Sequence, residues 1–249
     1  MITFVSAGSG DAELITVKGM KALKKADVVL YTGSLIPKEV LSWCKEDALI
    51  KNSADMSYED IFEFFKKYHD KDFVRLHTGD VSLYSTLAKQ VEFLKKEKIN
   101  FKVIPGVSAA FSAAASLGIE YTIPGVSQTL ILSRIEGKTP QPQKLSQLLL
   151  NKNSSFVFYL SIKLISKLKK EALNLGYPPS TPCYVVEKAS WEDEKIYKGT
   201  ISDIEEKVKH IKGIALILFG EFLNQEEKAA SHLYAKEYKE EAKRRTKAL

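Results

Sequence analysis

Apolar and polar positions alternate in blocks along the first half of the chain, and each block ends in a small-residue turn. Ile2-Thr3-Phe4-Val5-Ser6-Ala7-Gly8 reads as a short buried strand closed by glycine. Thr16 can cap a helix that carries Val17, Met20 and Leu23 on one side. Ala26–Tyr31 predicts the next strand, and Pro37 suits the first turn of a helix running to Trp43. Ser57 and Asp60 have capping-box spacing ahead of Ile61, Phe64, Phe65 and Tyr68. Asp72–Asp80 reads as a strand entering a polar loop. Leu83, Leu87, Val91 and Leu94 predict a helix over Ser82–Glu97, and Phe101–Gly106 a strand stopped by Pro-Gly. Strands alternating with helices predict right-handed crossovers and a mainly parallel sheet.

The pattern then changes. Ser108–Gly118 is Ala-rich and helical, and Tyr121–Gln128 reads as a hinge. Later strands are predicted at Thr129–Arg134, Ser155–Ser161, Cys183–Ala189 and Gly213–Gly220. Glu194–Thr200 follows the third of these after a short polar turn, so it predicts a hairpin and a mixed sheet. Helices are expected over Ile162–Leu175, Ile201–His210 and Gln225–Lys247. The expected architecture is α/β, with an N-terminal domain over 1–118 and a C-terminal domain over 119–249.

The first loop imitates two nucleotide signatures and satisfies neither. Gly8 and Gly10 fit a dinucleotide fingerprint, but Glu13 stands where the third glycine belongs and would repel phosphates. The strand Val28–Tyr31 ends without the acid that would bind a ribose, and no Lys-Ser/Thr follows Gly10 as a P-loop requires. The loop therefore reads as a tight strand-to-helix turn. In an open α/β sheet ligands bind outside the carboxyl ends of the strands. That edge carries Ser6–Asp11, Tyr31–Ser34, His77–Asp80 and Ile104–Ala110, all small and polar, where glycine lets a ligand approach the backbone. Asp80 can accept a hydrogen bond from a ribose, amine or amide, or it can cap the helix expected from Ser82.

Composition narrows the classes. Two cysteines, Cys44 and Cys183, lie far apart with no Cys/His cluster, so neither a disulfide framework nor a metal site is expected, and a reducing cytoplasm fits. No run approaches the ~20 apolar residues of a membrane span, and the N-terminus lacks the pattern of a secretory signal. The net charge of +6 favours an anionic partner. Lysines at 163, 167, 169 and 170 and the basic tail from Lys236 to Lys247 read by default as solvated helix faces. No interleaved aromatic ladder points to nucleic acid.

Several of these loops together resemble the tetrapyrrole (precorrin) methyltransferase family. The resemblance rests on Ala7–Asp11 with Glu13–Gly19, on Thr78-Gly79-Asp80 with Tyr84, and on Val103–Ala109. It extends through Tyr31–Leu35, Arg75–Asp80, Thr122–Pro124, Ser127–Thr129, Ser133–Pro140 and Ala189–Glu194, which are similar to the subgroup acting on C11 of precorrin-4 or cobalt-precorrin-4. It covers nearly the whole chain. It implies a two-domain fold with S-adenosylmethionine in a cleft between domains, a homodimer, and an anionic tetrapyrrole as substrate. It also implies that the first loop faces the cofactor's edge or the substrate without cradling phosphates, which this cofactor lacks. Two departures stand out. Ser6 and Ser9 replace the usual Gly and Pro of the first loop, and Val81 stands where Pro commonly follows Gly-Asp. Without the fixed φ of proline at position 9, a looser loop is expected.

Carried over residue by residue, the resemblance assigns cofactor contacts to Ser9, Thr78, Gly79, Asp80, Leu83, Ser108, Ala109, Leu160 and Ala189. Ser34, Tyr84 and Arg134 are substrate-side candidates, since arginine can hold a carboxylate bidentately. The implied reaction moves an activated methyl to an electron-rich carbon, so the protein's task is alignment, which can be worth about 7–11 kcal/mol. His77 is a candidate for proton removal or carboxylate binding, with a structural role as the alternative. Two rivals remain at this stage. One is another methyltransferase of the same fold, for a different precorrin carbon, a diphthine synthase or a ribosomal-RNA ribose methyltransferase, and the net charge would suit RNA. A pyridine-dinucleotide sensor would explain the loop, against Glu13.

Overall fold

The computed structural model describes residues 1–33 and 35–224. These divide into two compact units: Met1–Ala113 with Ala189–Asp193, and Ala114–Lys188 with the chain from Glu194. The division falls inside a helix, ahead of the boundary expected at 118, and returns five residues of the C-terminal half to the first unit.

The first unit contains β1 (Ile2–Ser6), α1 (Val17–Lys25), β2 (Val28–Tyr31), α2 (Lys38–Leu41), β3 (Leu49–Asn52), α3 (Tyr58–Tyr68), β4 (Phe73–His77), α4 (Leu87–Lys96) and β5 (Phe101–Ile104). The strands form one parallel sheet in the order β3-β2-β4-β1-β5. Period-two alternation splits the central strands between two apolar layers. Val5, Val29, Val74 and Leu76 pack with Leu23 of α1. Phe4, Leu30 and Phe73 pack with Ile61 and Phe65 of α3 and Leu94 of α4. Helices therefore cover both faces, as a parallel sheet requires. Chain order sets a switch point. From β1 the chain crosses towards the β3 edge, and from β4 it crosses towards β5. The adjacent carboxyl ends of β1 and β4 flank the place where such sheets bind ligands.

Local signals explain the starts of α1 and α3. Thr16 Oγ1 accepts from Gly19 N–H at 3.1 Å and caps α1. Ser57 and Asp60 form the reciprocal capping box of α3. Gly19 is the glycine that lets α1 approach the sheet, since a Cβ there would lie 3.0 Å from Val5 Cγ1. The helix expected from Ser82 begins instead at Leu87. Tyr84 and Thr86 take left-handed φ values of 52° and 50°, and the Ser85 hydroxyl donates to the Val81 carbonyl, so residues 82–86 form a turn. β3 is a strand the periodicity gave no sign of. It is a sheet edge with all four residues exposed, so no apolar alternation marks it.

The second unit holds β6 (Thr129–Arg134), α6 (Leu145–Leu148), β7 (Ser154–Tyr159), α7 (Ile165–Asn174), β8 (Pro182–Glu187), β9 (Lys195–Thr200), α8 (Ile204–Val208) and β10 (Ala215–Phe219). Between the two sheets in sequence runs α5 (Ala109–Leu117). The second sheet has the order β6-β7-β10-β8-β9, parallel only between β6 and β7. The expected hairpin is β8–β9, in register from Pro182↔Thr200 to Glu187↔Lys195. Phe156, Phe158, Cys183 and Phe219 anchor its core against α7 and α8. The expected helix over 225–247, with its basic residues, lies outside the described residues.

Candidate active site

The carboxyl ends of β1, β4 and β5 are stitched together by their own backbone and by one carboxylate. Gly8 and Gly79 form an antiparallel bridge, with Gly8 N–H donating to Gly79 O at 3.2 Å and Gly79 N–H to Gly8 O at 2.6 Å. Both glycines have positive φ, 85° and 60°, which a side chain would strain. Asp80 Oδ2 accepts from Gly106 N–H at 2.8 Å and so joins the β4 loop to the β5 loop. Its Oδ1 accepts from Ser82 N–H at 2.8 Å and from the Ser82 hydroxyl. Partial burial pushes this carboxyl up, but the Ser82 hydroxyl and the Gly106 and Ser82 N–H groups outweigh it and hold it below the usual aspartate value. Asp80 is thus an ionised clasp between loops. It does not cap α4, which starts at Leu87. Gly106 is required by contact, because a Cβ there would lie 2.5 Å from Ser6 Cβ and 3.0 Å from Gly79 O.

The β1 loop is held on its other side. Ser9 is buried, with its hydroxyl 2.6 Å from Ser112 Oγ and 2.9 Å from Ser190 Oγ. The Trp191 indole N–H donates to Ser9 O at 3.1 Å. In place of a proline ring, side-chain hydrogen bonds hold position 9. A Cβ on Gly10 would sit 2.5 Å from Trp191 Cδ1 and 2.9 Å from Ala189 O, so the Trp191 ring lies against bare backbone. Gly10→Ala is expected to cost about 1–3 kcal/mol by overpacking and to shift Trp191 fluorescence. Urea unfolding followed by tryptophan emission checks this, and an unchanged midpoint and spectrum would contradict it. Residues 12–14 form a 3-10 turn with Asp11 Oδ1 accepting from Glu13 N–H at 2.8 Å, so α1 does not open directly from the glycine loop as in a dinucleotide fold.

Thr78, Gly79 and Asp80 are partly exposed at this edge, and Ala109 is partly exposed beside the buried Ser108. The Cβ position of Gly79 meets no atom within 4 Å, which leaves open space against its backbone. Leu83 is half-buried, and Tyr84 is 47% exposed with left-handed φ. Ala189 is buried and Ser190 has φ 64°. Left-handed non-glycine residues cost of order 1–3 kcal/mol and concentrate at functional sites. In the second unit Leu160 adds another, with φ 53° and 75% of its surface exposed. Arg134, half-buried at the end of β6, donates to Pro140 O at 2.7 Å. Ser34 lies outside the described residues.

His77 closes β4 at 2% exposure, with its ring 6.0 Å from that of Phe4. Burial, with the Arg75 charge behind it, pushes the imidazole down to about 3. A ring kept neutral this way is a poor cation for a substrate carboxylate and a weak base. The cation beneath it, Arg75, donates to Gln90 Oε1, Leu30 O and Ser53 Oγ at 3.0, 3.1 and 2.8 Å and ties β4 to β2 and α4. Sequence reasoning gave no role to Ser112, Ser190 or Trp191. The motif Ala189–Glu194 held two of them, but their contacts with position 9 span 181 and 182 residues.

A parallel sheet with glycine loops clasped at its switch point, in a chain that also carries a second, mixed sheet, defines a class of two-unit α/β proteins that bind ligands at strand ends. Residues 1–205 match the profile described as Tetrapyrrole (Corrin/Porphyrin) Methylases, and the chain belongs to that family. It is 46% identical over 245 residues to a cobalt-precorrin-4 C(11)-methyltransferase of Methanocaldococcus jannaschii, covering 96% of this chain and 95% of the relative. Among solved structures it is similar to a cobalamin biosynthetic enzyme, cobalt precorrin-4 methyltransferase, with TM-score 0.87, 39% identity, and coverage of 89% and 95%. It also resembles uroporphyrin-III C-methyltransferase from Thermus thermophilus complexed with S-adenosylhomocysteine, with TM-score 0.75, 25% identity, and coverage of 90% and 98%.

Proposed function

We propose that this chain transfers a methyl group from S-adenosylmethionine to C11 of cobalt-precorrin-4, a step of cobalamin biosynthesis. The observation that carries the reading is near full-length similarity, at 46% identity, to a protein named for that reaction. The local chemistry fits the cofactor in kind. It has no phosphates, and the β1 loop has neither the third glycine nor the P-loop lysine that phosphates would need. The open backbone at Gly79 is a cradle that any side chain would fill.

In this reading Thr78, Gly79, Asp80 and Leu83 hold the cofactor with Ser108 and Ala109, the Ser9 loop borders it, and Leu160 and Ala189 line its adenosine. Tyr84, Ser34 and Arg134 are assigned to binding the tetrapyrrole, whose carboxylates suit a chain of net charge +6. The bound cofactor supplies a methyl already activated on a sulfonium. The chain's own contribution is to orient the two reactants and exclude water, and no side chain need act as nucleophile. His77, neutral and buried, serves the packing of β4 in this scheme. The protein acts as a cytoplasmic homodimer. Calorimetric titration with S-adenosylhomocysteine, with NAD as control, tests the reading. Binding of the adduct and no heat with NAD is expected. NAD binding alone would replace it with a dinucleotide protein.

A further inference from the structure

Position 9 is where three chain segments meet through hydroxyls. Ser9 comes from the β1 loop, Ser112 from the fourth position of α5, and Ser190 from the segment that follows β8. Ser190 Oγ accepts from Asp11 N–H at 3.3 Å. A serine hydroxyl has one proton to give. Since Ser190 already accepts from Asp11, it can donate to Ser9, and Ser9 can then donate to Ser112. The order Asp11 N–H to Ser190 to Ser9 to Ser112 satisfies every joint, and each bond polarises the next. Trp191 adds an independent grip on the same residue through Ser9 O. Ser190 holds a left-handed φ of 64° to make its contacts, a cost that these bonds offset.

We infer that Ser190 and Trp191 are positioning residues for the β1 loop, acting through Ser9, and that this hydroxyl chain sets the cofactor edge of the site. The Gly8–Gly79 bridge adjoins Ser9 directly, so the placement of Ser9 fixes where the bridge and the open side of Gly79 lie. The cofactor part of the inference rests on the function proposed above. The placement of the loop does not.

The test uses Ser9→Ala, Ser190→Ala, their double variant and Trp191→Phe, which keeps an aromatic ring there and removes its donor. Amide hydrogen exchange over residues 8–14 reads the loop, and calorimetry with S-adenosylhomocysteine reads the cofactor edge. Each single change should speed exchange and weaken the adduct by about 3- to 10-fold, the worth of one net hydrogen bond. For Ser190→Ala and Trp191→Phe, turnover at saturating cofactor should change by less than about twofold, because the loss lies in binding. The double variant should be no weaker than its worse single, because a break at either joint opens the same chain. Unchanged exchange in both serine variants would overturn the inference. So would penalties that multiply in the double variant, or faster exchange with adduct affinity unchanged. Should Ser9→Ala fail to fold, Trp191→Phe carries the same two readouts. Absence of adduct binding by the unaltered protein would sink the proposed function, while exchange would still decide whether the hydroxyl chain places the loop.

Discussion

Asp80→Asn is expected to weaken S-adenosylhomocysteine binding by roughly 10- to 150-fold, the range of lost hydrogen bonds to a charged acceptor. Its half-exposed position puts the effect toward the lower figure. The carboxylate accepts from Gly106 N–H on one oxygen and from Ser82 on the other. An asparagine amide can accept on one side only, so one of these donors would face an NH2 group. The β4 and β5 loops would then separate at the place where Thr78–Asp80 and Ser108 are proposed to hold the cofactor. The pH dependence follows the same bonds. Asp80's value is lowered in the folded state, so its contribution is complete above the ordinary aspartate value of 3.8 and is lost as pH falls through the depressed one. Binding through this clasp should therefore be insensitive to pH above about 5 and fail only in strong acid. Calorimetry of both proteins decides the matter, and equal affinities would remove Asp80 from the site.

Phe4→Ala is expected to destabilise the first unit by about 3–5 kcal/mol. Phe4 is fully buried in β1, edge-on to Phe65 and to Phe101 at 6.3 Å each, and Phe65 in turn meets Phe73 at 5.5 Å. Truncation leaves a cavity among rigid aromatic rings on a central strand, where neighbours cannot collapse far. Both tryptophans, Trp43 and Trp191, belong to this unit, so tryptophan emission during urea unfolding follows it specifically. The midpoint should fall sharply with little change in slope. An unchanged midpoint would mean that this aromatic layer is not what holds the sheet beneath the site.

The elements that short-range rules govern were legible in the chain. Thr16 and the Ser57/Asp60 pair announced their helices, the β8–β9 hairpin followed from a polar turn between apolar runs, and alternating elements implied the parallel sheet. The loops of the candidate site were legible for a related reason, because glycine at a strand end marks a turn that needs positive φ or a close approach to the backbone. What escaped was set by distant partners. Residues 82–86 have helical periodicity, yet Asp80 and Val81 capture Ser82 and Ser85 and turn the chain left-handed. Ser9 reads as a loosened proline until Ser112 and Ser190 arrive from elsewhere in the sequence. His77 reads as a candidate base because burial is a property of the packed sheet, and burial keeps its ring neutral. β3 lay hidden for the opposite reason, as an exposed edge needs no apolar pattern.

The most direct test of the account is transfer itself. Incubating the protein with cobalt-precorrin-4 and S-adenosylmethionine labelled with carbon-13 in its methyl group, then locating the label by NMR, reads cofactor, substrate and position together. The account predicts one labelled methyl on C11. Label at another ring carbon, or no transfer by a protein that binds S-adenosylhomocysteine, would contradict it.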